Sequence, residues 1–427
     1  MAVLDVSPHE ALAGEPWRIS ATGLEPGTQV RLVAEHADAG GLPWKAEAVL
    51  VADENGAVDP AVQRSVKGTY EGPDQAGLFW SARPDSKEKP AGTFTPGLAP
   101  DRITISLEVS GGRVASQEIE RLRVLPGVER VPIREEGVVG TLFLPEQEGP
   151  RPAMVVVGGS EGGVFEPSAA IHASHGYVTL ALAYFGLEGL PDDLAEIPLA
   201  TVERGLAWLA KHPRVRADAI GVWGASKGAE LALLSASRFP QLRAVVAKSP
   251  SAVAWEGISD ERGDHRSSWI EGGQPVPFLP WMAFTARIGV DFAWSRLRHE
   301  PFATRPMYEH GFADRGATER AAIAVERIDG PVLLVSGSRD EVWPAGEMAK
   351  MIMDRLKAHD HPFDDVHLHY EGAGHQIVTP YSPTTVNWLT IPGGIIENLG
   401  GSPEANAQAS ADSWARINAF LTQQLGE

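Results

Sequence analysis

Near Pro126–Gly127 the hydrophobic pattern of this 427-residue chain changes period, and that change constrains its architecture most. Before it, apolar and polar residues alternate in short segments such as Trp17–Arg18–Ile19–Ser20, Val30–Arg31–Leu32–Val33 and Ile103–Thr104–Ile105–Ser106–Leu107. Turn pairs such as Pro26–Gly27 and Gly111–Gly112 separate them. Period-two segments with frequent turns predict an all-β sandwich over 1–126, with 68–100 an irregular loop marked by Pro73, Pro84, Pro90, Pro96 and Pro100. After the change, continuous runs (AMVVV, YVTLALA, AIGVW, RAVVA, PVLLVSG, DDVHLHY) alternate with helix-length segments near 168–175, 198–211, 227–238 and 345–357. Runs without alternation belong to strands covered on both faces, so 127–427 is expected to be α/β, a doubly wound, mostly parallel sheet. The segment 137–144 (GVVGTLFL) reads as a strand pairing with 128–133, and a closing helix from Ser402–Pro403 sets Trp414, Ile417, Leu421 and Leu425 on one stripe. A long insertion, 252–325, interrupts the alternation.

Several functional classes are disfavoured at once. The formal charge of −19 repels polyanions, so nucleic acid is not an expected partner. No run approaches the ~20 apolar residues of a membrane span, and no secretory leader is visible at the N-terminus. The absence of cysteine excludes a thiolate nucleophile, a thiolate metal site and a disulfide framework, and cytoplasm is the default compartment.

Gly-x-Ser-x-Gly occurs twice, at Ser160 and Ser226. A nucleophile elbow requires a strand running into a tight turn and directly into a helix, with flanking glycines where the two elements approach. Ser226 has that context, between AIGVW and the helix formers KGAELALL, whereas GGVFEP after Ser160 cannot open a helix at once. The glycine-rich loop 158–163 is better suited to an oxyanion hole. One donor is expected from the backbone N–H of Lys227, after the nucleophile, and the other from Ser160 or Glu161, with Gly159 lying against the substrate. The same loop completes neither GxGxxG nor GxxxxGK[ST], which weakens a phosphate-loop reading.

In an α/β-hydrolase the order is nucleophile, acid, histidine. Asp340 follows the strand PVLLVSG and His375 follows DDVHLHY, which assigns Ser226 as nucleophile, His375 as base and Asp340 as its orienter. Glu341 is the alternative acid. His359, His361, His367 and His369 offer a competing metal cluster, but no motif surrounds them, and neither metal nor cofactor is expected. A different class, a scaffold with a dead hydrolase half, is disfavoured by the ordered triad.

With these residues in place, the chain resembles the acyl-CoA thioesterase / bile acid-CoA:amino acid N-acyltransferase family over nearly its whole length. The likeness rests on LPGVERVPIREEGVVGTLFLPEQEGP, GASKGAELAL with its lysine after the serine, VSGSRDEVWP, GAGHQIVTPYSP and GGSPEANAQASADSWARINAFL. The resemblance implies an immunoglobulin-like domain before an α/β-hydrolase domain, and attack on acyl thioesters, acyl-CoA in particular. Serine rather than cysteine at the nucleophile implies transfer to water, with a carboxylesterase or an N-acyltransferase as the alternatives. Under that reading 252–325 forms a lid whose aromatic residues (Trp255, Trp281 and Trp294, with Trp269, Phe278, Phe284 and Phe292) line an acyl channel, or else an extra cover with its own core. Coenzyme A phosphates would need a local basic cluster, for instance Arg287, Arg296, Arg298 and Arg305.

Overall fold

The structure, a computed structural model, describes residues 2–86, 92–259, 265–281, 285–391 and 394–426. Pro90 and Phe284 lie outside these residues. Two compact units divide the chain: Met1–Leu125 with Val378–Thr390 and Ser402–Trp414, and Pro126–Ile377 with Ile391–Gly401 and Ala415–Glu427. The period change places the first domain in one contiguous stretch, 1–126. Two late segments join it because Val386 packs into its core and the Thr384 amide donates to the Trp80 carbonyl at 2.9 Å.

The first unit is built on antiparallel pairing. Gln29–Ala37 lies between Pro43–Val51 and Asp101–Val109, and Gly112–Leu122 pairs with the latter. Val3–Ser7 and Arg18–Thr22 form a separate two-stranded sheet. Pro43–Val51 alternates buried positions with partly buried ones, exposed at both ends, as a strand with one wetter face does. The buried face carries Leu32, Trp44, Leu50, Ile103 and Ile105. Within 68–100 the described chain is largely irregular apart from one helical turn at Gly77–Trp80 and the short strands Lys67–Gly68 and Arg83–Pro84, which pair with Pro43–Val51.

The second unit holds an eight-stranded sheet whose strands, in chain order, are β1 (Glu129–Glu135), β2 (Val138–Leu144), β3 (Arg151–Val157), β4 (Val178–Leu182), β5 (Val215–Ala225), β6 (Leu242–Lys248), β7 (Val332–Gly337) and β8 (Val366–Tyr370). Their spatial order is β1-β2-β4-β3-β5-β6-β7-β8, antiparallel through the β2–β4 pair and parallel from β4 onward. This is the mostly parallel sheet expected from the unbroken apolar runs, in the α/β-hydrolase arrangement that the family resemblance implies. Every residue of β4 and β7 is buried, while the edge strand β1 is mostly exposed. Helices α1 (Glu166–Ser174), α2 (Ala200–Lys211) and α3 (Lys227–Ala236) follow β3, β4 and β5, and α7 (Ala345–Ala358) follows β7. The insertion contributes α4 (Ala286–Arg298), α5 (Arg305–Gly311) and α6 (Arg315–Ala321), and α8 (Pro403–Leu425) closes the chain. Ile417, Leu421 and Leu425 are buried, as the stripe on the closing helix requires. The carboxyl ends of parallel strands leave their connecting loops on one edge of the sheet, where α/β folds build their sites.

Candidate active site

Ser226 joins β5 to α3 with φ 56° and ψ −124°, a backbone conformation sparsely populated by non-glycine residues. The surrounding glycines are there for space. A Cβ on Gly224 would stand 2.1 Å from the Gly228 carbonyl oxygen, and one on Gly228 would stand 2.2 Å from that of Gly158. The elbow is therefore pressed against the end of β3, which is why the two Gly-x-Ser-x-Gly motifs converge in space.

His375 Nε2 lies 2.9 Å from Ser226 Oγ, and its Nδ1 lies 2.8 Å from Asp340 Oδ2. Asp340 is fully buried, and its other oxygen accepts the amides of Val342 (2.9 Å) and Trp343 (3.1 Å), which fixes the carboxylate plane. Glu341 makes no such approach: its carbonyl accepts the Arg305 amide at 3.0 Å. Burial alone would push the His375 imidazole down. The Asp340 carboxylate, by charge and hydrogen bond, overrides it and holds the ring above the ordinary histidine value of 6.5, with smaller pulls from Glu397 and Glu161. Trp343 meets the His375 ring edge-on at 5.7 Å.

The oxyanion candidates separate into different roles. Lys227 opens α3, where backbone N–H groups have no intrahelical acceptor. Its side chain turns inward: Nζ donates to Glu230 Oε2 at 2.7 Å in a fully buried pair. Burial lowers the Lys227 pKa, and the Glu230 charge opposes that shift. In the loop after β3, a Cβ built on Gly159 would stand 3.5 Å from the Ser226 Cβ. Ser160 and Glu161 are exposed, and the Glu161 carboxylate folds back to accept the Gly159 amide at 3.0 Å.

Of the aromatic candidates of the insertion, Trp255 and Trp281 both meet Tyr308, at 4.9 and 5.5 Å, while Trp294 stands apart. Trp255 is fully buried in the core, its indole N–H donating to Ser251 Oγ at 2.9 Å, so it belongs to the packing and lines no open channel. Trp281 is partly buried and stacks on Tyr308 at 5.5 Å. Trp294 is half exposed on α4. Of the candidate arginines, Arg287, Arg296 and Arg298 lie on α4 and Arg305 opens α5. Arg305 is committed to Glu309 and Glu347, each at 2.6 Å, and to the Asp340 carbonyl at 3.1 Å, so it offers no free charge to a phosphate. Among the histidines, His361 pairs with Asp365 at 2.6 Å, while His367 and His369 both reach Ser336 Oγ, at 2.8 and 2.9 Å. No cluster of three or more metal-ligating side chains occurs among the described residues, and none of their helices is long and apolar enough to cross a membrane.

Four further groups shape the site without any local sequence signal. The Tyr184 hydroxyl lies within hydrogen-bond distance of the carbonyls of Gly158 (2.8 Å) and Gly159 (2.7 Å). The Lys248 carbonyl accepts the Ser226 amide at 2.9 Å, and its Nζ donates to the Ile377 carbonyl. Burial lowers that ammonium to about 8. The adjacent Ser249 hydroxyl donates to the His375 carbonyl at 2.6 Å, so one dipeptide at the end of β6 grips nucleophile and base loops together. Glu397 accepts from Thr304 Oγ1 at 3.0 Å, and burial raises its pKa.

Two family models match the chain. One described as "BAAT / Acyl-CoA thioester hydrolase C terminal" covers residues 197–427, and one described as "Acyl-CoA thioester hydrolase/BAAT N-terminal region" covers 14–135. Curated relatives align end to end. Acyl-coenzyme A thioesterase 6 of Mus musculus is 30% identical over 99% of this chain and 97% of its own length. The peroxisomal succinyl-coenzyme A thioesterase of the same organism is 31% identical over 100% and 97%. Its acyl-coenzyme A amino acid N-acyltransferase 2 is 31% identical over 100% and 98%.

Proposed function

The chain belongs to the acyl-CoA thioester hydrolase/BAAT family, and from that premise we propose that it is a serine hydrolase cleaving acyl-CoA to free acid and coenzyme A. The observation that carries this reading is the continuous hydrogen-bonded line from Ser226 Oγ through the His375 ring to Asp340. Ser226 attacks the thioester carbonyl as His375 Nε2 takes its proton, and Asp340 holds the imidazole by Nδ1–H and stabilises its charged form. Charge developing on the carbonyl oxygen is met by the Lys227 amide and by an amide of the loop after β3, from Ser160 or Glu161. Collapse expels the coenzyme A thiolate, which His375 protonates. Water activated by the same nitrogen then attacks the acyl-serine and restores the hydroxyl.

The N-acyltransferase relative, equally similar to this chain, supports a second reading in which an amine takes the acyl group. Serine at position 226 favours water, because an oxygen ester is less reactive toward amines than the thioester a cysteine would form. Thiol release from acyl-CoAs of graded chain length, with and without glycine or taurine, separates the two: hydrolysis gives free acid in both mixtures, transfer gives the amide. Replacement of Ser226 by Ala should lower thiol release by several orders of magnitude and abolish labelling by a fluorophosphonate, with the fold retained. Undiminished release from Ser226→Ala sinks the assignment.

A further inference from the structure

Helix α4 is apolar on the wrong side. Its inward face is set by Ile288 and Phe292, which pack with Phe302 and Met307 in a small cluster. At 100° per residue, Val290, Trp294 and Leu297 fall on the opposite face, and they are 54%, 51% and 71% exposed. Three of the nine large apolar side chains exposed among the described residues thus stand within eight positions of one helix, and they include the only aromatic. A surface helix normally turns polar residues outward, so an outward apolar ridge signals something that covers it.

The flanks of the ridge identify the cover. Arg287 and Arg298 border it on one side, beside the one acid of the helix, Asp291, which lies 3.9 Å from Arg287, in a chain whose formal charge is −19. The Arg298 guanidinium lies 5.0 Å over the Trp294 ring, while Arg296, on the side of the helix nearer Phe292, donates to the Gly394 carbonyl at 2.6 Å. A tryptophan at the rim of an apolar ridge, bordered by arginines, is the composition of a helix lying in a headgroup layer. The ridge consists of only three side chains on one helix. A protein partner would need a matching groove and ~800 Å² of contact from each side, whereas a fluid lipid interface accommodates a lone ridge. We infer that α4 is an interfacial helix by which this protein docks on a bilayer rich in anionic phospholipid, with Val290, Trp294 and Leu297 entering the acyl boundary and the arginines meeting headgroup phosphates. This docking does not depend on the triad and would be measurable in a Ser226→Ala background.

Because the chain has no cysteine, a single one introduced as Val290→Cys can be labelled uniquely with an environment-sensitive fluorophore in the full-length protein. Mixed with phosphatidylcholine vesicles containing phosphatidylglycerol, the label should brighten and shift to the blue, while the same label at Val62→Cys, an exposed valine of the first unit, should not. Partitioning should weaken about fivefold for each arginine changed to glutamine, since each contributes ~1 kcal/mol at an anionic surface. It should fall further, by more than about tenfold, in Trp294→Glu/Leu297→Glu, whose exposed positions leave folding intact. Any of four outcomes overturns the inference: no partitioning, a response at position 62 but not at 290, equal binding to vesicles without phosphatidylglycerol, or a concentration-dependent dimer abolished by Trp294→Glu/Leu297→Glu. Arginine variants that raise KM for acyl-CoA without changing vesicle binding would also overturn it, assigning those charges to the nucleotide instead.

Discussion

Gly228→Ala tests whether the loop after β3 shares the chemistry with Ser226. The added methyl would lie 2.2 Å from the Gly158 carbonyl oxygen and 2.7 Å from that of Val157, both backbone atoms that cannot swing aside. Ordinary contact begins near 3.4 Å, so elbow and loop must part by about 1.2 Å, whichever of them moves. Position 228 is the second residue of α3, so part of the overpacking cost, typically ~1–3 kcal/mol, is offset by the ~1 kcal/mol helix preference of alanine over glycine. Stability should consequently fall only slightly, and thermal unfolding should report a Tm a few degrees lower. Catalysis is far more sensitive: a displacement of ~1 Å at a reacting centre costs ~100-fold, and loss of one oxyanion donor costs ~10²–10³. Thiol release from acyl-CoA should therefore drop by ~10²–10³ in kcat, while fluorophosphonate labelling of Ser226 slows in parallel. Turnover within a factor of about three of the parent enzyme, in a protein that melts normally, would refute the placement of the second oxyanion donor in this loop.

Other expectations follow from the buried charges around the base. Only neutral imidazole accepts the serine proton, and His375 is held above 6.5, so kcat/KM should fall as pH drops through a value higher than that of a free histidine. Glu397→Gln removes one of the charges raising it and should move this acidic limb to lower pH; an unmoved limb would show that Glu397 does not act on the base. Ser249→Ala deletes the bond to the His375 carbonyl, worth ~0.5–1.5 kcal/mol, and should cut kcat by up to about tenfold with KM unchanged, with threonine restoring it. Lys227→Met strands the buried Glu230 carboxylate and should cost ~3–5 kcal/mol in denaturant unfolding, much of which Lys227→Met/Glu230→Gln should recover.

What could be read from the sequence was whatever leaves a period or a fixed local spacing. Unbroken apolar runs announced the parallel sheet, and the strand–Gly-x-Ser-x-Gly–helix junction marked Ser226. Position after the last two strands picked out Asp340 and His375, which lie within hydrogen-bond range of each other and, through the ring, of the serine. Tyr184, Lys248, Ser249 and Glu397 were invisible because each acts across the fold on a backbone group or a distant charge, and no spacing encodes such a contact. The aromatic residues of the insertion misled for a related reason. Composition cannot distinguish Trp255, packed entirely inside, from Trp294, half in solvent, since both sit among similar neighbours in the chain. Nor could it foresee that Arg305 spends its charge on Glu309 and Glu347.

The two ends of the insertion carry a lesson for anyone exchanging specificity segments among relatives. At its start, Glu230 of the elbow helix accepts the Trp255 amide at 3.0 Å and the Trp269 indole N–H at 2.6 Å. Toward its end, Arg305 and Thr304 reach the carbonyls of residues 340–342 at 3.0–3.1 Å. Such a segment is no interchangeable cassette. A chimera that swaps it without transplanting Glu230 and the acid-loop contacts would arrive with its reaction centre already out of tune, and its poor activity would be mistaken for a change in substrate preference.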